Sequence, residues 1–179
     1  MDEHSILELI SHIRHDWLNR LQLIKGYLDL GRIDRVNTLI DEITRQCINE
    51  SRLADLKWPK TSLFLFTYTW HSHPVSVKYE IQNRPRGNWE NWDGCIYRFL
   101  EQFLGILNST VSESSGHRLI IRMEYFENRV NLHFQFTGSL TSTGELETLL
   151  RSGVLPGLQT RVVNESQVSF DCCLQEAAV

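Results

Sequence analysis

The sequence has little of what membrane proteins, secreted proteins and nucleic-acid-binding proteins need. Its longest apolar runs are only a few residues long, as in Leu63 to Phe66, whereas a membrane span needs about 18 apolar residues. The N-terminus begins Met-Asp-Glu-His and lacks the apolar segment of a secretory signal. The formal net charge is −4, which argues against a protein whose main role is to bind nucleic acid. We therefore expect a cytoplasmic globular protein that binds neither membranes nor nucleic acids.

Cysteine is also scarce, and its spacing favours neither a metal site nor a disulfide. The four cysteines are Cys47, Cys95, Cys172 and Cys173. No C-x-x-C pair occurs, and adjacent cysteines rarely bond to each other. We expect free thiols in a reducing compartment, and no cofactor or metal bound by this chain.

The composition divides the chain into two parts. Residues 1–56 contain no proline, whereas residues 57–179 contain all four prolines, most of the glycines and all but two of the aromatic residues. This shift predicts a domain boundary near Leu56 to Pro59. We therefore predict an α+β protein, with a helical hairpin over residues 1–56 and an α/β domain over residues 57–179.

Apolar residues in the first part recur every three or four positions, which is the period of an amphipathic helix. In the first helix they form a set that we call the apolar stripe: Ile6, Leu9, Ile10, Ile13, Trp17, Leu21, Ile24 and Leu28. In the second helix they are Val36, Leu39, Ile40, Ile43 and Cys47. Between the helices, Gly31 suits a left-handed C-cap and Asp34 suits an N-cap.

A hairpin of two long helices leaves each helix half exposed. Two hairpins that pack face to face cover both apolar surfaces in a four-helix bundle. We therefore predict a homodimer whose bundle is formed by residues 4–56.

The second part carries signals for both helices and strands. Three segments predict helices: Thr61 to Trp70, Asn91 to Ser112, and Gly144 to Arg151. Alternating apolar residues predict strands at Val75 to Ile81, Arg118 to Phe126, Val130 to Phe136, Arg161 to Val163, and Val168 to Cys172. This mixture indicates an α/β domain.

Among the seven histidines, His15 has the most informative position. At 100° per residue it lies about 175° from the mean direction of the apolar stripe, on the side that faces solvent. An imidazole in this position is either an ordinary surface histidine or a reactive group, and the helical pattern leaves both open. His12, one turn away, makes a two-histidine metal site conceivable, but further ligands are missing nearby.

The residues around His15 resemble a known family. The string from Arg14 to Gly26 reads R-H-D-W-L-N-R-L-Q-L-I-K-G. It is similar to the phosphoacceptor helix of the sporulation initiation phosphotransferase B family, the phosphorelay histidine phosphotransferases of endospore-forming bacteria. The resemblance continues at Asp34 to Val36 and Glu50 to Lys57, and the C-terminal third matches mainly in pattern.

The resemblance implies both a fold and a function. The fold is a dimer with a four-helix bundle, and each protomer adds an α/β domain that resembles a degenerate histidine-kinase ATPase domain. In the implied reaction, His15 takes a phosphoryl group from the aspartate of a single-domain response regulator. The group then passes to the aspartate of a second regulator, a transcription factor that controls sporulation. The Mg²⁺ that such transfer needs is expected on the regulator.

The resemblance also implies roles for the neighbours of His15. Leu18 and Gln22 lie on the same helix face and would contact the regulator. Arg14 and Asn19 would join this contact. Asp16 would orient His15 or act as a base toward it.

Two alternatives stay open. Histidine kinases of the citrate-sensor type have a similar helix, but their ATP sites carry an Asn-rich helix and two glycine motifs. Here Asn108 is the only possible relic of the Asn-rich helix. Phe136 to Leu140 stands where the first glycine motif would fall, and Gly153 to Gly157 does not have the glycine spacing of the second motif. We therefore expect no ATP binding. The other alternative is a module that docks on a regulator without phosphotransfer, and such a module would not require His15.

Overall fold

The computed structural model describes residues 3–68, 71–83, 87–114 and 116–175, and it divides the chain into two compact units, residues 1–50 and 51–179. The first unit contains helix α1 (Glu3–Asp29) and most of helix α2 (Ile33–Asp55). The predicted pair of long helices is therefore confirmed.

The turn between α1 and α2 is built around Gly31. Gly31 has φ +67°, a left-handed conformation that costs glycine little. The amide of Arg32 donates to the carbonyl oxygen of Tyr27, and the amide of Gly31 donates to that of Leu28, both at 2.9 Å. This pair of bonds is the Schellman motif, so the predicted C-cap at Gly31 is confirmed.

The predicted N-cap at Asp34 is wrong. Helix α2 begins at Ile33, so Asp34 already lies in its first turn. The turn bonds of Gly31 and Arg32 bring the chain into the second helix two residues earlier than an N-cap at Asp34 would. A carboxylate in the first turn still stabilises the helix through its dipole.

Within the first unit, the apolar stripe is only partly covered. Ile10, Ile13 and Trp17 are 52%, 44% and 45% exposed, whereas Val36 of α2 is buried. The two helices are joined by a polar bond in which the guanidinium of Arg20 donates to Oε1 of Gln46 at 2.9 Å. A single hairpin therefore keeps a long apolar surface in contact with solvent.

The second unit is an α/β domain, as predicted. Its helices are α3 (Pro59–Tyr68), α4 (Asp93–Thr110) and α5 (Gly144–Arg151), with a 3₁₀ turn at Glu90–Trp92. Its strands are β1 (Ser76–Gln82), β2 (Arg118–Tyr125), β3 (Arg129–Thr137), β4 (Leu158–Val163) and β5 (Gln167–Gln175). Trp70, placed in the first of these helices by the sequence, lies outside the described residues.

The five strands form one mixed sheet with the order β1-β2-β3-β5-β4. Strands β1 and β2 are parallel, and every other neighbouring pair is antiparallel. Side chains on β2 and β3 alternate between buried and partly exposed, so one face of the sheet forms the core. Four aromatic rings fill its centre: Phe99 and Phe103 of α4, Phe134 of β3 and Phe170 of β5.

A buried carboxylate holds the start of α3 against α4. The carboxylate of Asp93, at the first residue of α4, accepts hydrogen bonds from the amides of Lys60 and Thr61 at 3.0 and 2.9 Å. These amides belong to the first turn of α3, where helical partners are missing. Asp93 thus caps one helix from the end of another.

The last turn of α2 also packs against this domain and is hydrogen-bonded to it. Leu53 is fully buried, and its carbonyl oxygen accepts a bond from Ser62 Oγ at 3.1 Å. Arg52 donates to the carbonyl oxygen of Ile81 at 2.7 Å. The end of α2 therefore belongs to the core of the α/β domain.

Gly138 allows the chain to pass close to a buried histidine. His117 is 3% exposed, and its Nε2 lies 3.1 Å from the carbonyl oxygen of Ser112. Its Nδ1 accepts a bond from the amide of Ser139 at 3.2 Å, so the partners define a neutral ring with the proton on Nε2. A Cβ at Gly138 would lie 2.5 Å from Nδ1 of this ring.

We predict that Gly138→Ala destabilises the protein by about 1–3 kcal/mol, because the added methyl group overpacks the site beside His117. Urea unfolding followed by circular dichroism measures this change. The matched control is Gly105→Ala in α4, where an added Cβ meets no atom within 4 Å. Gly105→Ala is expected to stabilise the helix by up to about 1 kcal/mol. Equal stability of the two variants would contradict the close contact.

Candidate functional site

The candidate site lies on helix α1 and is centred on His15. His15 is exposed, and so are the five neighbours for which the sequence predicts a supporting role: Arg14, Asp16, Leu18, Asn19 and Gln22. All six side chains are carried by one continuous helix in the first unit. A helix fixes their spacing and directions, so the site needs no loop to assemble it.

The side chain of Asn19 contacts the imidazole directly. Nδ2 of Asn19 lies 3.2 Å from Nδ1 of His15, one helical turn away. Positions i and i+4 face each other on a helix, which explains how two exposed side chains meet. The sequence analysis placed Asn19 in the regulator contact, and the structure adds a bond to the ring itself.

Asp16 occupies a different direction from His15. Adjacent residues of a helix point 100° apart and do not face each other. No hydrogen bond or ion pair joins Asp16 to His15 in the part of the chain that the structure describes. The orienting role of Asp16 therefore stays a prediction from the resemblance.

The remaining members of the site form an open surface beside the ring. Leu18 is 50% exposed, one turn after His15, and Gln22 follows one turn further along. Arg14 adds a positive charge before the histidine. An exposed leucine next to amide and guanidinium groups can bury apolar area on a partner while its polar neighbours donate hydrogen bonds.

On another side of α1, Arg20 makes contacts within α1 and with α2 that the sequence analysis did not predict. The guanidinium carbon of Arg20 lies 5.5 Å from the ring centroid of Trp17, within the range of a cation–π contact. The same guanidinium donates to Gln46, which in turn donates to Oε1 of Glu50 at 2.9 Å. Spacing within α1 could have indicated the first contact, but Gln46 and Glu50 come from α2 and required the structure.

His133, in strand β3 of the α/β domain, has acidic partners. Nδ1 of His133 lies 2.5 Å from Oδ1 of Asp171, and its Nε2 lies 3.7 Å from Oε2 of Glu124. Arg161 also forms an ion pair with Asp171. Within the described ranges, no group of three or more His, Cys, Asp or Glu side chains is arranged to hold a metal ion.

Two thiols of the α/β domain, those of Cys95 and Cys172, are held in the protonated form. Burial raises the pKa of Cys172 to about 12, and burial also raises the pKa of Cys95. Cys172 and Cys95 donate to the carbonyl oxygens of Pro156 and Val154, each at 3.0 Å. All four cysteines are free, as predicted.

Asn108, which the sequence analysis compared with the Asn-rich helix of kinase ATP sites, is hydrogen-bonded inside the domain. Its Nδ2 donates to the hydroxyl of Tyr68 at 2.9 Å, and its Oδ1 accepts the amide of Val75 at 3.3 Å. Its amide group is therefore used to join α4 to the segment before β1. Burial raises the pKa of Tyr68, which keeps this hydroxyl protonated.

A shallow groove of about 440 Å³ separates α4 from α5. It is lined by Gln102 and Ile106 of α4 and by Gly144, Glu145 and Leu149 of α5. Glu145 and Glu147 lie in the first turn of α5. Their negative charges compensate the helix dipole and disfavour a phosphate group at this helix end.

None of the described helices is both long enough and apolar enough to span a membrane.

Comparison with known protein families gives two adjoining matches. Residues 1–56 match the family described as sensor kinase SpoOB-type, alpha-helical domain. Residues 57–173 match the family described as sporulation initiation phosphotransferase B, C-terminal. The second match alone spans more than half of the chain.

A curated relative and two solved structures are also similar. The sporulation initiation phosphotransferase B of Bacillus subtilis (strain 168) is 26% identical over 152 residues, which cover 84% of this chain and 79% of that relative. The Acinetobacter baumannii histidine kinase AdeS is 11% identical with a TM-score of 0.45, covering 92% of this chain and 98% of that one. A bacterial phosphotransferase is 14% identical with a TM-score of 0.39, covering 96% and 97%.

These TM-scores are low, and the assignment rests on the sequence matches. The two family matches follow each other along the chain in the order helical domain, then C-terminal domain. The chain belongs to the sporulation initiation phosphotransferase B family.

Proposed function

We propose that His15 accepts a phosphoryl group from the aspartate of one response regulator and passes it to the aspartate of a second regulator that controls sporulation. Membership of the family makes the protein a phosphotransferase of two-component signalling. The observation that carries the proposal is the position of His15, an exposed imidazole in the middle of a long helix. A regulator can approach such a ring without any rearrangement of this chain.

Phosphoryl transfer requires little from this chain beyond the correct position of the His15 imidazole. Phosphoryl transfer between an aspartate and a histidine needs an in-line approach and stabilisation of the charge on the equatorial oxygens. Phosphohistidine and acyl phosphate have comparable transfer potentials, so both directions are accessible. The Mg²⁺ would be held by the acidic cluster of the regulator, and this chain would supply the imidazole.

The regulator contact would use the open surface beside His15. Leu18 would bury its exposed side chain on the regulator, and Gln22 would donate or accept hydrogen bonds one turn further along. Arg14 would pair with a regulator carboxylate or approach the phosphoryl group, because its charge is opposite to both. Apart from the Mg²⁺, these three side chains would supply the groups that face the regulator and the phosphoryl group.

The apolar stripe supports a homodimer. Six of its eight residues stay between 41% and 56% exposed in a single chain, from Ile6 to Leu21 in order of exposure, and Leu9 and Ile24 are half-buried. A second hairpin would cover this surface in a four-helix bundle. His15 would then remain outside, because the helical period places it on the far side of α1 from the stripe.

We predict that His15→Gln abolishes labelling of this protein by a ³²P-phosphorylated single-domain response regulator in the presence of Mg²⁺. Glutamine keeps the helix and the polarity but cannot form a phosphoramidate. The label on the wild-type protein should be acid-labile and base-stable, and it should pass to a second regulator. The matched control is His12→Gln on the same exposed helix, which should be labelled like the wild type.

Equal labelling of His15→Gln and wild type would contradict the proposal. Retained signalling in cells that carry His15→Gln would instead favour a docking module without phosphotransfer. Labelling by γ-³²P-ATP without any regulator would favour a kinase fragment.

We predict a dimer of about 42 kDa in sedimentation equilibrium, twice the chain mass of 20.9 kDa. Leu21→Asp should shift the protein toward the monomer, because it places a charge in the apolar stripe. Leu23→Asp is the matched control, since Leu23 is similarly exposed at 52% but lies outside the stripe. A wild-type monomer at micromolar concentration would contradict the bundle.

A further inference from the structure

We propose that the groove between α4 and α5 binds a small organic cation, a molecule with an apolar ring and an ammonium group. The ring would lie on Ile106, Leu149 and Val154, and the ammonium group would pair with the carboxylate of Glu145. This inference goes beyond the proposed function, because it uses no residue of helix α1.

The groove has the size of a small-molecule site. Its volume is about 440 Å³, and sites that bind small ligands usually have volumes of about 300–1,000 Å³. A stable protein interface would need a much larger surface, about 800 Å² on each partner. The size of the groove therefore favours a small ligand over a protein chain.

Apolar side chains line the groove on both sides. Ile106 comes from α4, Leu149 comes from α5, and Val154 comes from the segment that follows α5. Ile106 and Val154 are half-buried, so part of each side chain still contacts solvent. A ligand whose ring covers these side chains removes apolar surface from water, and this burial favours binding.

Hydrogen bonds fix the end of the groove at Val154. Its carbonyl oxygen accepts a bond from Sγ of Cys95 at 3.0 Å, and its amide donates to Oγ of Ser152 at 3.3 Å. Oγ of Ser152 in turn donates to the carbonyl oxygen of Leu149 at 2.6 Å. This end of the groove is therefore formed before a ligand arrives, and a preformed site loses less conformational entropy on binding.

Two polar side chains at the groove are available to a ligand. Glu145 of α5 and Gln102 of α4 line the groove and are exposed. Neither side chain makes a hydrogen bond or an ion pair with another described residue. By contrast, Glu147, two residues along, is bonded to Thr143 and Arg151. A ligand can therefore bind the Glu145 carboxylate without breaking an existing contact of that carboxylate.

The charge at the start of α5 selects a cation. Glu145 and Glu147 both lie in the first turn of this helix, and none of the described residues that line the groove is basic. These carboxylates would repel an anionic ligand, whereas an ammonium group would form a charge-assisted hydrogen bond with Glu145. Oε1 of Gln102 can accept a second hydrogen bond, which favours a ligand ring that carries an N–H group.

Tryptamine is a suitable probe, because it combines an indole ring and its N–H group with an ammonium group. The full-length ¹⁵N-labelled protein is titrated with tryptamine and, separately, with tryptophol, which has the same ring and a hydroxyl in place of the ammonium group. Chemical-shift changes in ¹H–¹⁵N correlation spectra locate the binding and measure its strength. We expect tryptamine to bind with a Kd on the order of 1 mM, and tryptophol to bind about fivefold more weakly. The changes should be confined to amides of α4, α5 and the segment up to Val154.

Two variants separate the carboxylate from the apolar side chains. Glu145→Gln keeps the shape and removes the charge, so it should weaken tryptamine binding by about fivefold and leave tryptophol binding unchanged. Ile106→Ala removes part of the apolar surface, so it should weaken the binding of both ligands by about threefold. The matched control is Glu127→Gln, at an exposed glutamate in the turn between β2 and β3, which should change neither affinity.

Any of three results would overturn the inference. The first is that tryptamine does not bind, or that its shift changes lie outside the groove. The second is equal affinity of the wild type for tryptamine and tryptophol, which would exclude selection by charge. The third is an unchanged tryptamine affinity in either Glu145→Gln or Ile106→Ala. If one of these variants loses its native spectrum, the other still decides, because each has its own expected change.

Discussion

The geometry of one amphipathic helix is the constraint on which the site depends. Helix α1 must bury its apolar stripe, and the 100° step per residue then fixes what lies on the opposite side. His15 occupies that opposite side, with Asn19 one turn away and in contact with its ring. The packing that would stabilise a dimer and the exposure that phosphotransfer needs are therefore two consequences of the same helical period.

Two residues of the α/β domain that the sequence analysis compared with kinase ATP motifs contribute to its packing. The side-chain amide of Asn108 is hydrogen-bonded to Tyr68 and Val75. Gly138 has no Cβ and therefore allows the chain to pass close to His117. Carboxylates occupy the first turn of α5.

Much of this could be predicted from the sequence, because the signals are local. The period of three and four residues located α1 and α2, and alternation located the strands to within a few residues. Gly31 indicated its turn, since few other residues adopt a left-handed conformation at low cost. The Asp34 prediction failed because the bonds of the preceding turn, rather than the preference of one side chain, decided where α2 begins.

The features that sequence analysis missed join residues far apart in the chain. Asp93 caps α3 across more than thirty residues. His117 meets Gly138 and Ser139, and Arg20 meets Gln46, through contacts that no local pattern encodes. The bond between His15 and Asn19 differs from these, because the i, i+4 spacing of an amide and an imidazole could have indicated it.

The most direct test of the account is a rapid-quench chase of the isolated phosphoprotein. Protein phosphorylated on His15 is purified away from its donor, mixed with an unlabelled second regulator and Mg²⁺, and stopped at millisecond to second intervals. The account predicts that phosphate leaves His15 at least as fast as it crosses the complete relay, and that it appears on the regulator aspartate without loss to water. Phosphate that leaves His15 more slowly than the complete relay proceeds would contradict the claim that His15 carries it.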